Sequence, residues 1–240
     1  GFVLLLLGLW QLYGALAGDQ WTSRPTLVAV RIWELARTGL AGHVAVTLSE
    51  ILMGLAIGVP AGTLAGIVLG RTRVLSSLLR PVIVAANSVP IVALAPLLIM
   101  WFGLGMTPKV ALVALVAFFL LFFNTYSGVT TIDRDVLDGL RLMGANEREL
   151  LQKVVLPATM PWVLSGLRSA LPYSLIAATV GEMMLARSGL GFLVTEFAGQ
   201  YDMTGVYAAL VVLMVLGVII AEVAARSEAW ILRWRPSANA

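Results

Sequence analysis

The chain consists of long stretches without a charged residue, separated by short polar connections. The charge-free runs cover residues 1–18, 51–70, 81–108, 110–132 and 203–221. A sixth apolar segment, 162–185, contains only two charges, Arg168 and Glu182. A helix needs roughly 20 apolar residues to cross a hydrocarbon core about 30 Å thick. The pattern therefore predicts an all-α fold, a polytopic transmembrane helical bundle of about six helices.

One transmembrane domain is expected over residues 1–240. The predicted spans are about 2–17, 44–69, 81–103, 109–126, 161–185 and 205–225. Residues 2–17 lack a basic leader and a small-residue cleavage site, so we expect a retained span there and not a signal peptide. The connections are expected to hold a short interfacial helix at 26–38 and a polar outer loop at 186–204.

Glycines recur at every fourth position of the second span. They are Gly54, Gly58, Gly62, Gly66 and Gly70. Residues four apart share one face of a helix, and small residues there let two backbones approach closely. The spacing predicts a tight contact with a neighbouring helix, with a role in a substrate path as the secondary alternative.

Polar residues and prolines interrupt the third span. A helix that contains Asn87, Ser88, Pro90 and Pro96 is expected to be bent or partly unwound. Irregular backbone at membrane depth is tolerated only where protein or a water cavity satisfies the freed groups. Residues 87–96 are therefore a candidate lining of a substrate path, and a kinked packing helix is an equally open alternative.

Polar side chains on the spans are costly against lipid, so we expect them to face the bundle or a cavity. The candidate path residues are Asn87, Ser88, Pro90, Tyr126, Ser169, Tyr173 and Glu182. For Glu182 the favoured interpretation is an interfacial acid that is hydrogen-bonded to the outer connection. No paired carboxylates are expected within the membrane.

The segment 130–161 is the most charged part of the chain and predicts two short helices hinged at a glycine. Asp133 suits an N-cap, and Gly144 suits the end of the first helix. Asn146 and Glu149 have the spacing of a capping box, which opens a second helix. A capped, amphipathic double helix favours docking into a partner's groove, and a solvated connector is the alternative.

The sequence also predicts where this segment ends and on which side of the membrane it lies. Pro157 is expected to end the second helix, and the fifth span is expected to begin near Pro161. If the amino end is cytoplasmic, 11 of the 16 Lys and Arg residues lie on the same side of the membrane as this segment. The excess of positive charge inside then places the segment and both termini in the cytoplasm.

The composition agrees with a membrane protein and excludes several classes of function. The chain is 60% hydrophobic with a mean hydropathy of +0.94, and only 12% of its residues are charged. It has no cysteine, one histidine and no basic stripe, so thiolate metal sites, histidine-rich clusters and nucleic-acid binding are not expected. The motifs G-x-x-x-x-G-K-S/T, G-x-S-x-G and H-E-x-x-H are missing, so we expect no ATP site, enzyme activity or bound cofactor of its own.

The run GANERELLQKVVLP resembles the EAA loop of bacterial ABC-importer permeases, whose pattern is EAA, three residues, Gly, nine residues, Ile-x-Leu-Pro. Gly144 is followed by nine residues, with Val154 at the isoleucine position and Leu156-Pro157 closing the motif. The triplet positions hold Asp138, Gly139 and Leu140, which departs from the family pattern.

Three further stretches resemble the nitrate, taurine and sulfonate branch of these permeases. They are HVAVTLSEILMGLAIGVPAGTLAGIVLG, VPIVALAPLLIMWFGLG and GLRSALPYSLIAATVGEMMLARSGLG. The resemblance implies a multi-pass permease of the bacterial inner membrane that pairs as a homodimer. It also implies two cytoplasmic ATPase subunits, which bind ATP and Mg, and an extracytoplasmic substrate-binding protein.

The resemblance also implies how the residues would act. The ATPase-coupling residues would be Asp138, Gly139, Leu140, Gly144, Ala145, Asn146, Glu147, Glu149, Leu150, Lys153, Leu156 and Pro157. Alternating access would carry a small solute, either a nitrate-, sulfonate- or taurine-like anion or a small heterocycle. The alternatives are an ion-coupled secondary transporter that uses Glu182 and a membrane scaffold without transport.

Overall fold

The computed structural model describes residues 1–18, 22–185 and 187–231. The described part of the chain is all-α and contains no strand, so the predicted fold class is confirmed. The helices, in chain order, are α1 (Phe2–Ala17), α2 (Pro25–Thr38), α3 (Leu40–Arg71), α4 (Arg73–Asn87), α5 (Ala95–Phe102), α6 (Thr107–Thr130), α7 (Arg134–Leu142), α8 (Glu147–Leu150), α9 (Leu156–Leu185), α10 (Leu190–Gly199) and α11 (Met203–Ile231). A 3-10 turn (Ile91–Leu94) precedes α5, and a π-helical turn (Leu151–Val155) joins α8 to α9.

In the described part of the chain, four helices are long and apolar enough to cross a membrane. They are α3, α6, α11 and the unbroken helix that runs from Glu147 into α9. The first predicted span corresponds to the shorter apolar helix α1, and the expected interfacial helix is α2. The described helices therefore form a polytopic bundle, as the charge-free runs predict.

The third predicted span, 81–103, begins at the wrong residue, because Pro81 lies inside α4, which starts at Arg73. α4 ends at Asn87, the chain turns through Ser88–Pro90, and α5 begins only at Ala95. Proline lacks a backbone N–H and disfavours helical backbone in the residue before it, which explains a break at Pro90. The predicted irregular segment within 87–96 is confirmed.

The prediction that Pro157 ends a short helix is wrong. Residues 147–184 form one helix, because the chain passes from α8 through the π-helical turn directly into α9. Pro157 follows the π-helical turn directly, and the i→i−5 hydrogen bonds of that turn shift the backbone register, so a residue without an N–H is accommodated inside the continuous helix. The fifth span consequently begins before Pro161, which lies inside α9.

The outer connection at 186–204 is not only a polar loop. It contains α10, in which Leu190, Leu193 and Phe197 are buried with Gly191 and Val194. α10 packs against α9 and α11. The apolar face of α10 is short. The polar residues on either side of it therefore made the whole connection look like a polar loop in the sequence.

The core lies where α3, α6 and α9 pack together. The glycine stripe of α3 faces α6, and a Cβ at Gly58 or Gly62 would overlap the carbonyl oxygen of Ala114 or Phe118. The predicted close helix contact is therefore confirmed. α9 has 30 residues, or about 45 Å at 1.5 Å per residue, so it separates residues 133–157 at one end from α10 at the other.

Candidate functional site

Residues 133–157, which we call the hinged segment, begin with a capped helix. The Asp133 side chain accepts a hydrogen bond from the Asp135 N–H at 2.9 Å, as expected for the N-cap of α7. After α7 ends at Leu142, Gly144 has a φ of +92°, a conformation that glycine adopts without strain. The predicted N-cap and glycine hinge are both confirmed.

The second half of the hinged segment begins with the predicted capping box. The Glu149 N–H donates to the Asn146 side chain at 2.9 Å, and the Asn146 N–H donates to the Glu149 carboxylate at 3.1 Å. Two helix-end donors are thus satisfied reciprocally. The Lys153 ammonium adds an ion pair with Glu149 at 3.2 Å, one turn along the helix.

An ion-pair network joins the two halves of the hinged segment to the end of α3. The Arg141 guanidinium donates to Asp138 at 2.7 Å and to Glu147 at 2.9 and 3.0 Å. Arg71, the last residue of α3, also pairs with Glu147. Hydrogen bonds from Arg141 to Asp138 and then to Glu147 raise the pKa of Arg141, which keeps the guanidinium charged.

Apolar side chains at the hinge point away from the protein. Leu142 is 91% exposed and Met143 is 85% exposed, whereas Leu150 and Val155 are buried. The hinged segment is therefore anchored on one side and presents apolar surface on the other. A cleft of about 330 Å³ opens beside the hinge, between Leu140 and Val154. This surface is available for docking.

The predicted coupling residues are spread along this segment. α7 carries Asp138, Gly139 and Leu140, and the hinge is formed by Gly144, Ala145 and Asn146. α8 carries Glu147, Glu149 and Leu150, and the π-helical turn carries Lys153. α9 begins with Leu156 and Pro157. Of these, Leu150 is buried and Leu140, Ala145 and Glu149 are half-buried. The structure brings the set together at one end of the bundle, and its coupling role stays a prediction.

The predicted path residues do not form one site. Ser88 and Pro90 are exposed at the α4–α5 break, and the side chain of Asn87 lies outside the described ones. Tyr126 is near the other end of α6, where its hydroxyl bonds to Ser76 at 2.6 Å and the Arg80 guanidinium lies 5.8 Å from its ring centroid.

Ser169 and Tyr173 share one face of α9 with several apolar residues. Trp162, Tyr173, Ile176 and Met183 are exposed on that face, and Ser169 is half-buried. The spacing of these residues follows the helical repeat. The face is polar at Ser169 and Tyr173 and carries no fixed charge at these five positions.

Glu182 is buried at the end of the bundle remote from the hinged segment. One carboxylate oxygen accepts a hydrogen bond from the Thr47 hydroxyl at 2.6 Å, and the other accepts from the Gly191 N–H at 2.7 Å. The predicted hydrogen bond to the outer connection is therefore confirmed. The Leu190 N–H donates to the Thr47 hydroxyl at 3.0 Å, so the start of α10 is fixed to α3 and α9.

The expectation of no paired carboxylates within the membrane is wrong. Glu50 of α3 is fully buried beside Glu182 and forms an ion pair with Lys109 of α6. Glu50 lies inside the predicted span 44–69 and Lys109 begins the predicted span 109–126, and no local pattern at either residue indicates the other. Within the described ranges, no group of three His, Cys, Asp or Glu residues could hold a metal ion.

Comparisons with known proteins agree with these features. Residues 58–229 match the family described as "Binding-protein-dependent transport system inner membrane component". The formylaminopyrimidine transport permease protein ThiX of Halalkalibacterium halodurans is 32% identical over 235 residues, or 98% of this chain and 94% of that protein. The riboflavin transport system permease protein RibX of Chloroflexus aurantiacus is 34% identical over 238 residues, or 98% of this chain and 89% of that protein.

A third relative and a solved structure extend the comparison. The putative aliphatic sulfonates transport permease protein SsuC of Bacillus subtilis is 30% identical over 237 residues, or 97% of this chain and 86% of that protein. A chain of the MetNI methionine ABC transporter, solved in an inward-facing conformation, superposes with a TM-score of 0.65 and 20% identity. That superposition covers 83% of this chain and 96% of the other and shows a shared fold.

Proposed function

The chain belongs to the family of inner-membrane components of binding-protein-dependent transport systems, and from this premise we propose how it moves its solute. It is a multi-pass permease subunit of an ABC importer. We infer that the hinged segment docks onto a separate ATPase subunit, which binds ATP and Mg and drives alternating access. The main support for this docking is the hinge at Gly144, which leaves Leu142 and Met143 exposed to a partner.

The capped helices give this segment the stiffness that such a role requires. Asp133 and Asn146 close the two helix starts, and Arg141 bridges the two helices through Asp138 and Glu147. A segment that is held in one conformation transmits a displacement, whereas a flexible one absorbs it. α8 also continues without a break into α9, so a push on the hinged segment reaches a membrane span directly.

We propose that two copies of the chain enclose the solute path. The exposed face of α9 that carries Trp162, Ser169, Tyr173 and Ile176 would line or border that path. Hydroxyl and aromatic groups without fixed charge suit a small sulfonate-like anion or a small heterocycle. The relatives named for formylaminopyrimidine, riboflavin and aliphatic sulfonates support these two solute classes.

The substitution Gly144→Val tests the coupling role. A β-branched residue at a φ of +92° is strained by about 1–3 kcal/mol, which displaces the hinge. We expect solute uptake by the complex reconstituted with its ATPase and binding protein to fall roughly tenfold, the ratio that about 1.4 kcal/mol produces. ATP hydrolysis is expected to continue, so that the uptake per ATP falls.

Gly42→Val is the matched control. Gly42 lies in α3 with open space around its Cβ position and helical backbone, so valine fits there. We expect uptake per ATP to stay at the unsubstituted level in this variant. Normal coupling in Gly144→Val would contradict the proposal, as would uptake that depends on the proton gradient at constant ATP.

A further inference from the structure

The break between α4 and α5 leaves backbone acceptors without a partner. α4 ends at Asn87, and the N–H groups of Ser88 and Val89 donate back to carbonyls of its last turn. The Ser88 and Val89 carbonyls themselves accept no hydrogen bond from the described residues. Pro90 interrupts the helix whose later N–H groups would otherwise bond to them. Residues 88–90 are exposed, so the break presents hydrogen-bond acceptors on the surface of the chain.

The Ser88 hydroxyl adds a third acceptor. It donates its hydrogen to the Val84 carbonyl at 3.0 Å, so only its lone pairs remain for a ligand. The carbonyl end of a helix also carries a partial negative charge. The start of α5 offers no matching set of donors, because the 3-10 turn continues into it and Ala95 is buried. The break therefore favours groups that donate hydrogen bonds.

The break lies near the middle of the bundle, at the level of Tyr173. α4 places it about 22 Å from Arg73, and the 3-10 turn and α5 place it about 20 Å from the opposite end. Ala95 of α5 and Gly181 of α9 line one cleft, so these two residues are level. Ser88 lies seven residues before Ala95, and Tyr173 lies eight residues before Gly181. The two segments are also in contact, because the 3-10 turn packs against α9.

Neither the break nor the exposed face of α9 is suited to lipid. Irregular backbone at membrane depth occurs only where protein or a water-filled cavity covers it. Polar side chains at that depth likewise face a bundle interior or a cavity. Ser88 and Tyr173 are both exposed in the single chain, on neighbouring segments and at one level. We therefore expect them to border the same water-filled space, the solute path.

The cations that flank this level along α4, α6 and α9 are already engaged. Lys109 pairs with Glu50, and Arg168 pairs with Glu228 at 3.1 Å. Arg80, two turns before the break, lies over an aromatic ring. A charge that leaves water is costly unless an opposite charge compensates it. An anionic solute would find carbonyl oxygens at the break and no free cation among these three.

We propose that the Ser88 and Val89 carbonyls and the Ser88 hydroxyl form a binding site for an uncharged heterocycle that carries N–H donors, with Tyr173 as an aromatic contact at the same level. This inference rests on the proposed function and deepens it, because it selects between the two solute classes named there. A sulfonate offers only acceptors and a negative charge. An amino-substituted heterocycle offers donors to the carbonyls and a ring that can pack against tyrosine.

Direct binding of three small probes to the permease–ATPase complex in nanodiscs tests this site. The probes are 4-aminopyrimidine, pyrimidine, which lacks the amino donor, and methanesulfonate, and titrations followed by saturation-transfer NMR give their dissociation constants. We expect 4-aminopyrimidine to bind about fivefold more tightly than either of the others, the ratio that one net hydrogen bond produces. Ser88→Ala is expected to weaken 4-aminopyrimidine binding by about the same factor and to change pyrimidine binding less than about twofold.

Ser77→Ala is the matched control. Ser77 is also exposed on α4 and donates to a carbonyl one turn back, that of Val74, at 2.8 Å. It lies about 16 Å from Ser88 along the helix, so we expect all three probes to bind this variant as they bind the unsubstituted complex. Equal effects of Ser88→Ala and Ser77→Ala overturn the site. Methanesulfonate that binds more tightly than 4-aminopyrimidine, or no binding of any probe, overturns it as well.

A second measurement shows whether water reaches the break. Because the chain has no cysteine, Ser88→Cys introduces a single thiol, and Val218→Cys places one on an exposed apolar face of α11 as the control. A thiolate forms poorly in an apolar environment, so we expect a charged, membrane-impermeant thiol reagent to modify position 88 about tenfold faster than position 218. Addition of 4-aminopyrimidine is expected to slow the reaction at position 88. Equal rates at the two positions would mean that lipid or a second copy of the chain covers the break.

The outcomes separate this inference from the proposed function. ATP-driven uptake that persists while the probes fail to distinguish Ser88→Ala from Ser77→Ala overturns the site and leaves the importer intact. Probe binding that depends on Ser88, in a complex whose uptake needs no ATP, overturns the importer mechanism and leaves the site.

Discussion

Three ionisable side chains, Glu50, Lys109 and Glu182, lie where α3, α6 and α9 meet; the two glutamates are buried and Lys109 is half-buried. Burial of a charge is costly unless partners compensate it, and here one ammonium faces two carboxylates. Hydrogen bonds from Thr47 and Gly191 compensate Glu182 further. The cluster therefore joins three core helices and fixes the start of α10 through polar contacts in an otherwise apolar bundle.

Lys109→Met is expected to destabilise the protein strongly. It removes the cation and leaves Glu50 as an unpaired buried charge, a change that typically costs about 3–5 kcal/mol. The double variant Lys109→Met, Glu50→Met removes both charges and is expected to recover part of this loss. Thermal unfolding in detergent measures both, with Arg226→Ala, which breaks the exposed pair with Glu222, as the control. A Lys109→Met midpoint equal to that of the control would contradict the prediction.

The contacts of a single residue could be predicted from the sequence where they depend only on its near neighbours in the chain. Asp133, Asn146 and Glu149 are caps defined by their neighbours within three residues, and the structure has each contact. The Glu50–Lys109 pair joins residues 59 positions apart, and nothing in the neighbourhood of either residue indicates the other. Pairing of that kind follows from helix packing, which a single sequence does not specify.

At the level of helices, α3 and α6 behave as one unit because their backbones are in contact. The glycine stripe from Gly54 to Gly70 covers about 24 Å of α3 at 1.5 Å per residue. A side chain at these positions meets backbone or Cβ atoms of α6, which cannot move aside as a flexible side chain can. We therefore expect the two helices to move together.

Gly62→Val is expected to separate α3 from α6. Its side chain would overlap the Phe118 carbonyl and the Leu121 side chain, and overpacking of this kind costs about 1–3 kcal/mol or more. We expect a lower thermal unfolding midpoint in detergent than for Gly42→Val, which places the same residue in open space on the same helix. Equal midpoints would show that the interface adapts to added volume.

The helix predictions failed where two local rules compete. Proline after an amphipathic run indicates a helix end, yet the π-helical turn at Leu151–Val155 shifts the hydrogen-bond register, and Pro157 is accommodated inside a continuous helix. Near Pro90 helical structure is interrupted, since α4 ends at Asn87 and a proline disfavours helical backbone in the residue before it. The spacing of apolar residues and the positions of charges therefore predict where the helices lie. Where each helix ends depends on its local hydrogen-bond register.

At the level of the whole molecule, the hinged segment is connected to the membrane spans covalently at both ends and by an ion pair. It follows α6 after a short turn, and α8 continues into α9. The ion pair joins Glu147 to Arg71, the last residue of α3. Because α3 and α6 are in close contact, this ion pair links the hinged segment to both helices. We therefore expect a displacement of the segment to reach α3, α6 and α9 together.

Reversing one charge of this link is expected to reduce transport without unfolding the protein. Arg71→Glu places two carboxylates together and repels the hinged segment from α3, so uptake per ATP hydrolysed should fall several-fold. The thermal midpoint should change little, because partly exposed ion pairs contribute little to stability. The measurement is solute uptake and phosphate release by the same proteoliposomes.

The doubly reversed variant Arg71→Glu, Glu147→Arg decides whether the contact itself carries the effect. It restores an attractive pair with α3 but removes the carboxylate that Arg141 binds, so we expect partial and not full recovery of uptake per ATP. Arg226→Ala controls for loss of an arginine elsewhere on the surface. Recovery of coupling in the double variant means that α3 receives movement through this pair. Coupling that stays low would mean instead that Arg71 acts through another contact and that its pair with Glu147 does not carry movement to α3.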